Sequence, residues 1–180
     1  MDESLLIKKL KRGKEDAYVQ VVHDYGNRLL RTCYLMLGSI EEAEDVVQET
    51  FIRVFENIGK FRGDSSLYTW VYTIALNLSR DRLKRKSDVP SFQDDQDEWI
   101  GNDDVENCVV KSIDREALKK ELFKLHPMYM EVIVLFYFEE LSIKEITALL
   151  NEKEGTVKSR LSRGRNILKG NLSKGGFING

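Results

Sequence analysis

From Leu141 to Arg165 the chain reads LSIKEITALLNEKEGTVKSRLSRGR, a run whose hydroxyl and basic groups recur at helical spacing. Ser142 with Glu145 three positions on makes a capping box that starts a helix. Ile143, Ile146, Leu149 and Leu150 then repeat as the apolar side of that helix. Asn151-Glu152-Lys153-Glu154-Gly155 is polar and ends in glycine, so the chain is expected to turn there. In the second helix each residue lies about 100° from the last. That step puts Val157, Leu161, Gly164 and Leu168 on one face and Ser159, Ser162, Arg163 and Asn166 opposite. Lys158, Arg160 and Arg165 flank the outer face, and Lys153 to Lys169 holds six basic residues against one acidic.

The chemistry this layout offers is that of a helix lying in the major groove of DNA. Ser159, Ser162 and Arg163 are the expected readers of base edges, since arginine can bond guanine twice and serine suits several bases. Lys158, Arg160 and Arg165 are the expected phosphate contacts that set register, and Thr156 joins the DNA-facing set at the start of the helix. The plainer alternative is a surface helix with a solvated basic face. The capped helix ahead of it and the polar break favour a helix-turn-helix.

Other elements must carry that helix. The 180 residues suffice for one domain or two small ones, and 42% hydrophobic content supports packed cores. Proline occurs only at positions 90 and 127, and helical periodicity dominates, so the expected fold is all-α. A first domain is expected over residues 15–86, with helices near Ala17–Leu37, Glu41–Ile58 and Ser66–Lys86. A flexible acidic linker follows over 87–109, then a second domain over 110–170 and a disordered tail over 171–180. Net charge is only −2, yet Arg80 to Lys86 carries five basic residues and one acidic, while Asp88 to Glu106 carries eight acidic and no basic. Local fields rather than the net charge would attract nucleic acid. Cys33 and Cys108 lie far apart, which favours free thiols over a disulfide or metal site. The N-terminus lacks a signal-peptide core. The longest uncharged run, Ser65 to Ser79, is 15 residues, short of the roughly 20 that a membrane span needs. A cytoplasmic protein without direct membrane insertion is expected.

In the first domain, Val47, Phe51, Val54 and Ile58 are expected to form a core seam. Glu41, Glu42, Glu44, Asp45 and Glu49 lie at or near the first turns of that helix, where its dipole favours acids. With no histidine or glycine-rich loop beside them, no metal or acid/base site is expected. The helix from Ser66, capped by Ser65 or Ser66, has Leu67, Val71, Ile74 and Leu78 as its core face. Trp70, Thr73, Asn77, Arg80 and Lys84 form a second stripe, preceded by the polar loop Lys60–Ser65. Aromatic and amide groups leading into cations suit single-stranded nucleic acid, with bases stacked or pocketed and phosphates following the cations. The alternative is that Tyr68, Trp70 and Tyr72 simply pack.

Three blocks resemble the sigma-70 family, in its extracytoplasmic-function (ECF) class: Ala43–Phe51 (AEDVVQETF), Phe61–Trp70 (FRGDSSLYTW) and Glu154–Arg160 (EGTVKSR). They stand in family order across nearly the whole chain. The resemblance implies two helical domains, region 2 and region 4, without the region 1.1 and region 3 of housekeeping members. It implies that Asp45, Gln48, Glu49 and Arg53 belong to the surface meeting the clamp helices of the polymerase's largest subunit. Gly63, Asp64, Ser65, Ser66 and Asn77, with Trp70 nearby, match the part that captures an unstacked base of the −10 element. Arg80, Arg82, Lys84 and Arg85 match the end that contacts its backbone. Region 4, which also meets the polymerase flap, would read the −35 element as duplex through the second helix of Leu141–Arg165.

The implied partners are core RNA polymerase, promoter DNA and an anti-sigma factor. No cofactor, small-molecule substrate or enzymatic activity is expected. Glu152 stands where the family's turn usually has an apolar residue, and Lys153 where Pro or Ser is common, so a looser turn is expected. Ser162 replaces the bulkier side chain of some members. A stand-alone helix-turn-helix regulator with a sensing or dimerising N-terminal domain is the competing reading, and a nucleic-acid enzyme such as a nuclease is a third.

Overall fold

A computed structural model of the protein describes residues 2–86 and 115–175. The expected linker 87–109, the start of the second domain at 110 and the tail beyond Gly175 lie outside the described residues. Those residues form eight α-helices: α1 (Glu3–Lys11), α2 (Glu15–Leu37), α3 (Ile40–Asn57), α4 (Leu67–Lys86), α5 (Arg115–Leu122), α6 (Pro127–Ile133), α7 (Ile143–Leu150) and α8 (Glu154–Lys174). A short 3-10 turn (Ile58–Lys60) follows α3, and a π-helical turn (Val134–Phe138) follows α6. No described helix is long and apolar enough to cross a membrane. The chain divides into two compact units, one built on α1–α4 and the other on α5, α6, α8 and most of α7.

In the N-terminal unit, α2, α3 and α4 each pack on the other two. The turn between α2 and α3 is tight because Gly38 takes the left-handed conformation (φ 75°) and the Ser39 hydroxyl accepts from the Glu42 N–H at 3.4 Å. The buried seam of α3 is Ala43, Val46, Thr50, Phe51 and Val54, continued by Ile58 of the 3-10 turn, with Val47 only half-buried. The apolar face is therefore centred one residue earlier than the pattern suggests, since Ala43 and Thr50, weak apolar signals, both point inward. On α4, Leu67, Val71 and Leu78 are buried as expected, Ile74 is half-buried, and Tyr72, Ala75, Leu76 and Ser79 are buried too. Burial pushes the Cys33 thiol up to about 11, opposed by the Ser79 hydroxyl donating to its sulfur at 3.7 Å. Cys33 is thus a packing residue, inert as a nucleophile near neutral pH.

Helix α1 lies ahead of the expected helices. Asp2 caps it by accepting from the Ser4 N–H at 3.2 Å, and Leu6 and Leu10 are buried. Tyr18 of α2 donates to the Leu10 carbonyl at 3.0 Å, and Lys9 pairs with Asp16 at 2.8 Å. Its four apolar side chains, three of them consecutive at Leu5 to Ile7, make no clear helical stripe in a strongly charged segment.

In the C-terminal unit, His126 caps α6 and Pro127 occupies its first turn, where a missing N–H costs nothing. Helix α8 packs on α5 and α6, burying Val157, Leu161, Gly164, Leu168 and Leu172. Gly164 is the point of closest approach: a Cβ there would stand 3.1 Å from Ile133 Cγ1 and 3.3 Å from Tyr129 Cβ. Leu172 is buried and α8 runs to Lys174, so residues 171–174, expected in the tail, belong to this helix.

The break before α8 is built differently from its sequence reading. Asn151, not Gly155, takes the left-handed conformation that closes α7 (φ 53°), its N–H bonding the Thr147 carbonyl. Gly155 lies inside the first turn of α8, in open space. Asparagine tolerates this conformation better than other side-chain-bearing residues, and its cue was masked by the nearby glycine. The Ser142–Glu145 capping box is present in both directions. The looser turn expected at Glu152 is instead held: Glu152 Oε1 accepts from an Arg160 guanidinium N–H at 3.1 Å, and the two side chains retain only 34% and 13% exposure.

Two stability outcomes follow. Gly164→Ala gains about 1 kcal/mol of helix propensity but loses roughly 1–3 kcal/mol to overpacking. A net loss of about 1 kcal/mol is expected in urea unfolding followed by circular dichroism, and a stabilised variant would show that α6 yields freely. Glu152→Ala and Arg160→Ala should each cost about 1 kcal/mol, with the double variant costing less than their sum. Strict additivity in that double-mutant cycle would show that the contact carries no energy.

Candidate nucleic-acid interface

With Val157, Leu161, Gly164, Leu168 and Leu172 buried, α8 carries its polar and basic side chains on the other sides. Ser159, Ser162, Arg163 and Arg165 are half-buried on the sides and outer face, Thr156 is half-buried in the first turn, and Lys158 and Asn166 are exposed. Spacings of three and four residues bring Ser159, Ser162, Arg163 and Asn166 onto one side of the helix. Lys158 pairs with Glu154 one turn earlier at 2.8 Å. The hydrogen bond from Lys158, then its charge, holds the Glu154 carboxyl below its ordinary value.

Arg160 does not join this outward set. Its side chain is turned against the Glu152 carboxylate, which a phosphate would have to displace. Glu152, the residue that departs from the family's turn, supplies the carboxylate. Sequence reasoning missed this partnership because an acid eight residues ahead of an arginine fits no helical pairing rule. Only the turn brings them together.

The N-terminal unit presents a different surface. Between Phe61, buried, and Leu67, buried, the residues Gly63, Asp64, Ser65 and Ser66 are all exposed. Gly63 has φ 82°, a conformation that a side chain would strain. Ser66, rather than Ser65, caps α4: its hydroxyl accepts from the Thr69 N–H at 3.1 Å. Trp70 is half-buried, with its ring tilted 37° against that of Phe61 at 5.0 Å between centroids. One turn on, the Thr73 hydroxyl donates to the Thr69 carbonyl at 2.7 Å. Asn77 is exposed and its carbonyl oxygen accepts from Arg80 at 3.2 Å, while Lys84 and Arg85 are exposed near the end of the helix. Tyr72 is fully buried, and Tyr68 sits among Tyr25, Tyr72 and the Arg28 guanidinium. The packing alternative therefore holds for those two tyrosines, and Trp70 is the aromatic left beside the loop.

On α3, Asp45 and Gln48 are exposed, and Glu49 accepts from Arg53 at 2.8 Å across one turn. Asp45 also pairs with Arg82 of α4 at 3.2 Å. Two residues that the sequence assigns to separate surfaces are thus brought into contact. With side chains 64% and 33% exposed, the pair is worth at most about 1 kcal/mol. A stronger partner could take either residue.

The two units coincide with two family matches. Sigma-70 region 2 matches residues 21–89, and sigma-70 region 4 matches residues 115–168. The ECF RNA polymerase sigma factor SigW of Bacillus subtilis is 38% identical, over 92% of this chain and 94% of its own. The RNA polymerase sigma factor YlaC of the same organism is 31% identical over 89% and 92%. Among solved structures, CnrH in complex with the cytosolic domain of CnrY shares the fold, with a TM-score of 0.71 over 96% of this chain and 97% of that one at 23% identity. The sigma factor RpoE in complex with the anti-sigma factor NepR from Bartonella quintana gives 0.65 over 87% and 96% at 25% identity. Both helical units, their order and full-length similarity to SigW agree: the chain belongs to the sigma-70 family of RNA polymerase sigma factors, in its ECF class.

Proposed function

We propose that this protein docks on core RNA polymerase and directs initiation at a specific set of promoters, with one unit reading each promoter element. The observation that carries this reading is the pairing, in one chain, of a helix-turn-helix with an exposed glycine-bearing loop. The helix-turn-helix has a polar and basic outer face, and the loop sits beside Trp70, Asn77 and a cationic helix end. The C-terminal unit reads the −35 element as intact duplex: Ser159, Ser162 and Arg163 take base edges, and Thr156, Lys158 and Arg165 take phosphates. The N-terminal unit takes the opened −10 element. Gly63, Asp64, Ser65 and Ser66 receive an unstacked base, Trp70 and Asn77 line its approach, and Arg80, Arg82, Lys84 and Arg85 follow the backbone.

Asp45, Gln48, Glu49 and Arg53 are the polymerase contacts on this reading. Nucleotide addition belongs to the polymerase, so the protein itself is not an enzyme and works in the cytoplasm where its polymerase is. An anti-sigma factor is the expected regulator, as CnrH and RpoE are each found with a bound partner. A stand-alone regulator is not favoured, because the N-terminal unit matches sigma-70 region 2 rather than a sensing domain.

Adding the protein to core polymerase should start transcripts at a subset of promoters in a genome-wide run-off experiment. Core plus protein that starts none on any genomic fragment would falsify the reading. Arg163→Ala should relax or abolish −35 preference, at about 1–3 kcal/mol if the guanidinium makes a two-bond base contact. Unchanged promoter choice in that variant removes Arg163 from the base-reading set.

A further inference from the structure

The loop Phe61–Ser66 is held at both ends by one short helix. At its start, the Lys11 ammonium donates to the Phe61 carbonyl at 2.7 Å. At its end, the Glu3 carboxylate accepts from the Leu67 N–H, the first amide of α4. These are contacts between residues 50 and 64 positions apart in the chain. Both grips come from α1, whose own position is fixed by buried Leu6 and Leu10 and by the Tyr18 and Asp16 contacts. Glu3 and Lys11 stand eight positions apart at the two ends of α1, about 12 Å along a helix axis. The six-residue path from Phe61 to Leu67 could extend to roughly 20 Å. With both ends held, by these bonds and by the burial of Phe61 and Leu67, the exposed residues Gly63 to Ser66 have slack to arch.

The Glu3 grip also has an electrostatic consequence. The N-terminus of a helix attracts anions, because its first amides are unpaired and its dipole is positive there. A carboxylate already on the Leu67 amide competes with a nucleic-acid phosphate for that position. The loop is left to meet a base rather than the backbone.

We propose that α1 is a bracket that sets the shape of the base-capture loop, with Glu3 and Lys11 as positioning residues for −10 readout. The proposal rests on the promoter-reading function above. Its test uses the full chain and the variants Glu3→Ala, Glu3→Gln, Lys11→Met and Lys11→Arg, with two readouts. Amide hydrogen exchange across residues 62–67 should rise about tenfold in Glu3→Ala and Lys11→Met, the loss of one charge-assisted hydrogen bond, while core amides such as Leu29 stay protected. With core polymerase and a promoter library randomised at both elements, these two variants should flatten base preference at −10 and keep that at −35. Glu3→Gln and Lys11→Arg, which retain an acceptor and a donor, should restore most of both signals. Unchanged loop exchange overturns the bracket, as does a rise shared equally by the core. Equal loss of −10 and −35 preference overturns the positioning role. If the unaltered protein starts no transcript, the promoter-reading function fails, whereas loop exchange still decides whether α1 holds the loop.

Discussion

Helix α8 can bury only one side, and that constraint organises the C-terminal unit. Val157, Leu161, Gly164, Leu168 and Leu172 face α5 and α6, and the contact is close enough at Gly164 that no side chain fits without displacing Ile133 or Tyr129. Helix α8 is thereby fixed in rotation as well as position. A one-residue change in helical phase would turn Ser159, Ser162 and Arg163 by about 100° away from any groove. The reading face is thus a product of the packing face.

Opposite charges temper both surfaces. Glu154 answers Lys158, Glu152 answers Arg160, and Asp45 answers Arg82. These pairs fit a net charge of only −2 in a family that binds DNA. Exposed pairs of this kind carry little energy and are screened by salt, so on the proposed function Lys158 and Arg82 exchange a carboxylate for a phosphate at small cost. The Glu152–Arg160 pair is more enclosed and serves the turn. Each unit thus carries part of its positive charge already matched, which would weaken nonspecific attraction to a polyanion.

The N-terminal unit solves a different problem, which is to expose a backbone segment without losing its shape. Phe61 and Leu67 are buried at the two ends, Gly63 supplies the left-handed bend, and Ser66 caps the helix that follows. The side chains from α1 add polar grips where an apolar anchor cannot reach a backbone amide or carbonyl. Trp70 rests on Phe61, so the aromatic surface beside the loop is tied to the same anchor.

Much of this was legible in the sequence, because it depends on periodicity and local chemistry. The all-α class, the helices α2, α3 and α4, the Ser142–Glu145 capping box and the buried face of α8 each follow from residues within a few turns of one another. The three motif blocks pointed to the family for the same reason. Other features depended on contacts between distant residues, which no local pattern encodes. Helix α1 is held by tertiary contacts, Glu3 and Lys11 reach a loop more than fifty positions away, and Asp45 meets Arg82 across two helices. The turn before α8 falls within Asn151–Gly155 as expected, but its construction is tertiary: Asn151 rather than glycine takes the left-handed conformation, and Glu152 finds its partner only after the chain has turned. Residue type and spacing determined which helices form and which faces are apolar. Only the tertiary structure decided which charged groups pair within the fold, because that depends on which side chains meet when the helices pack.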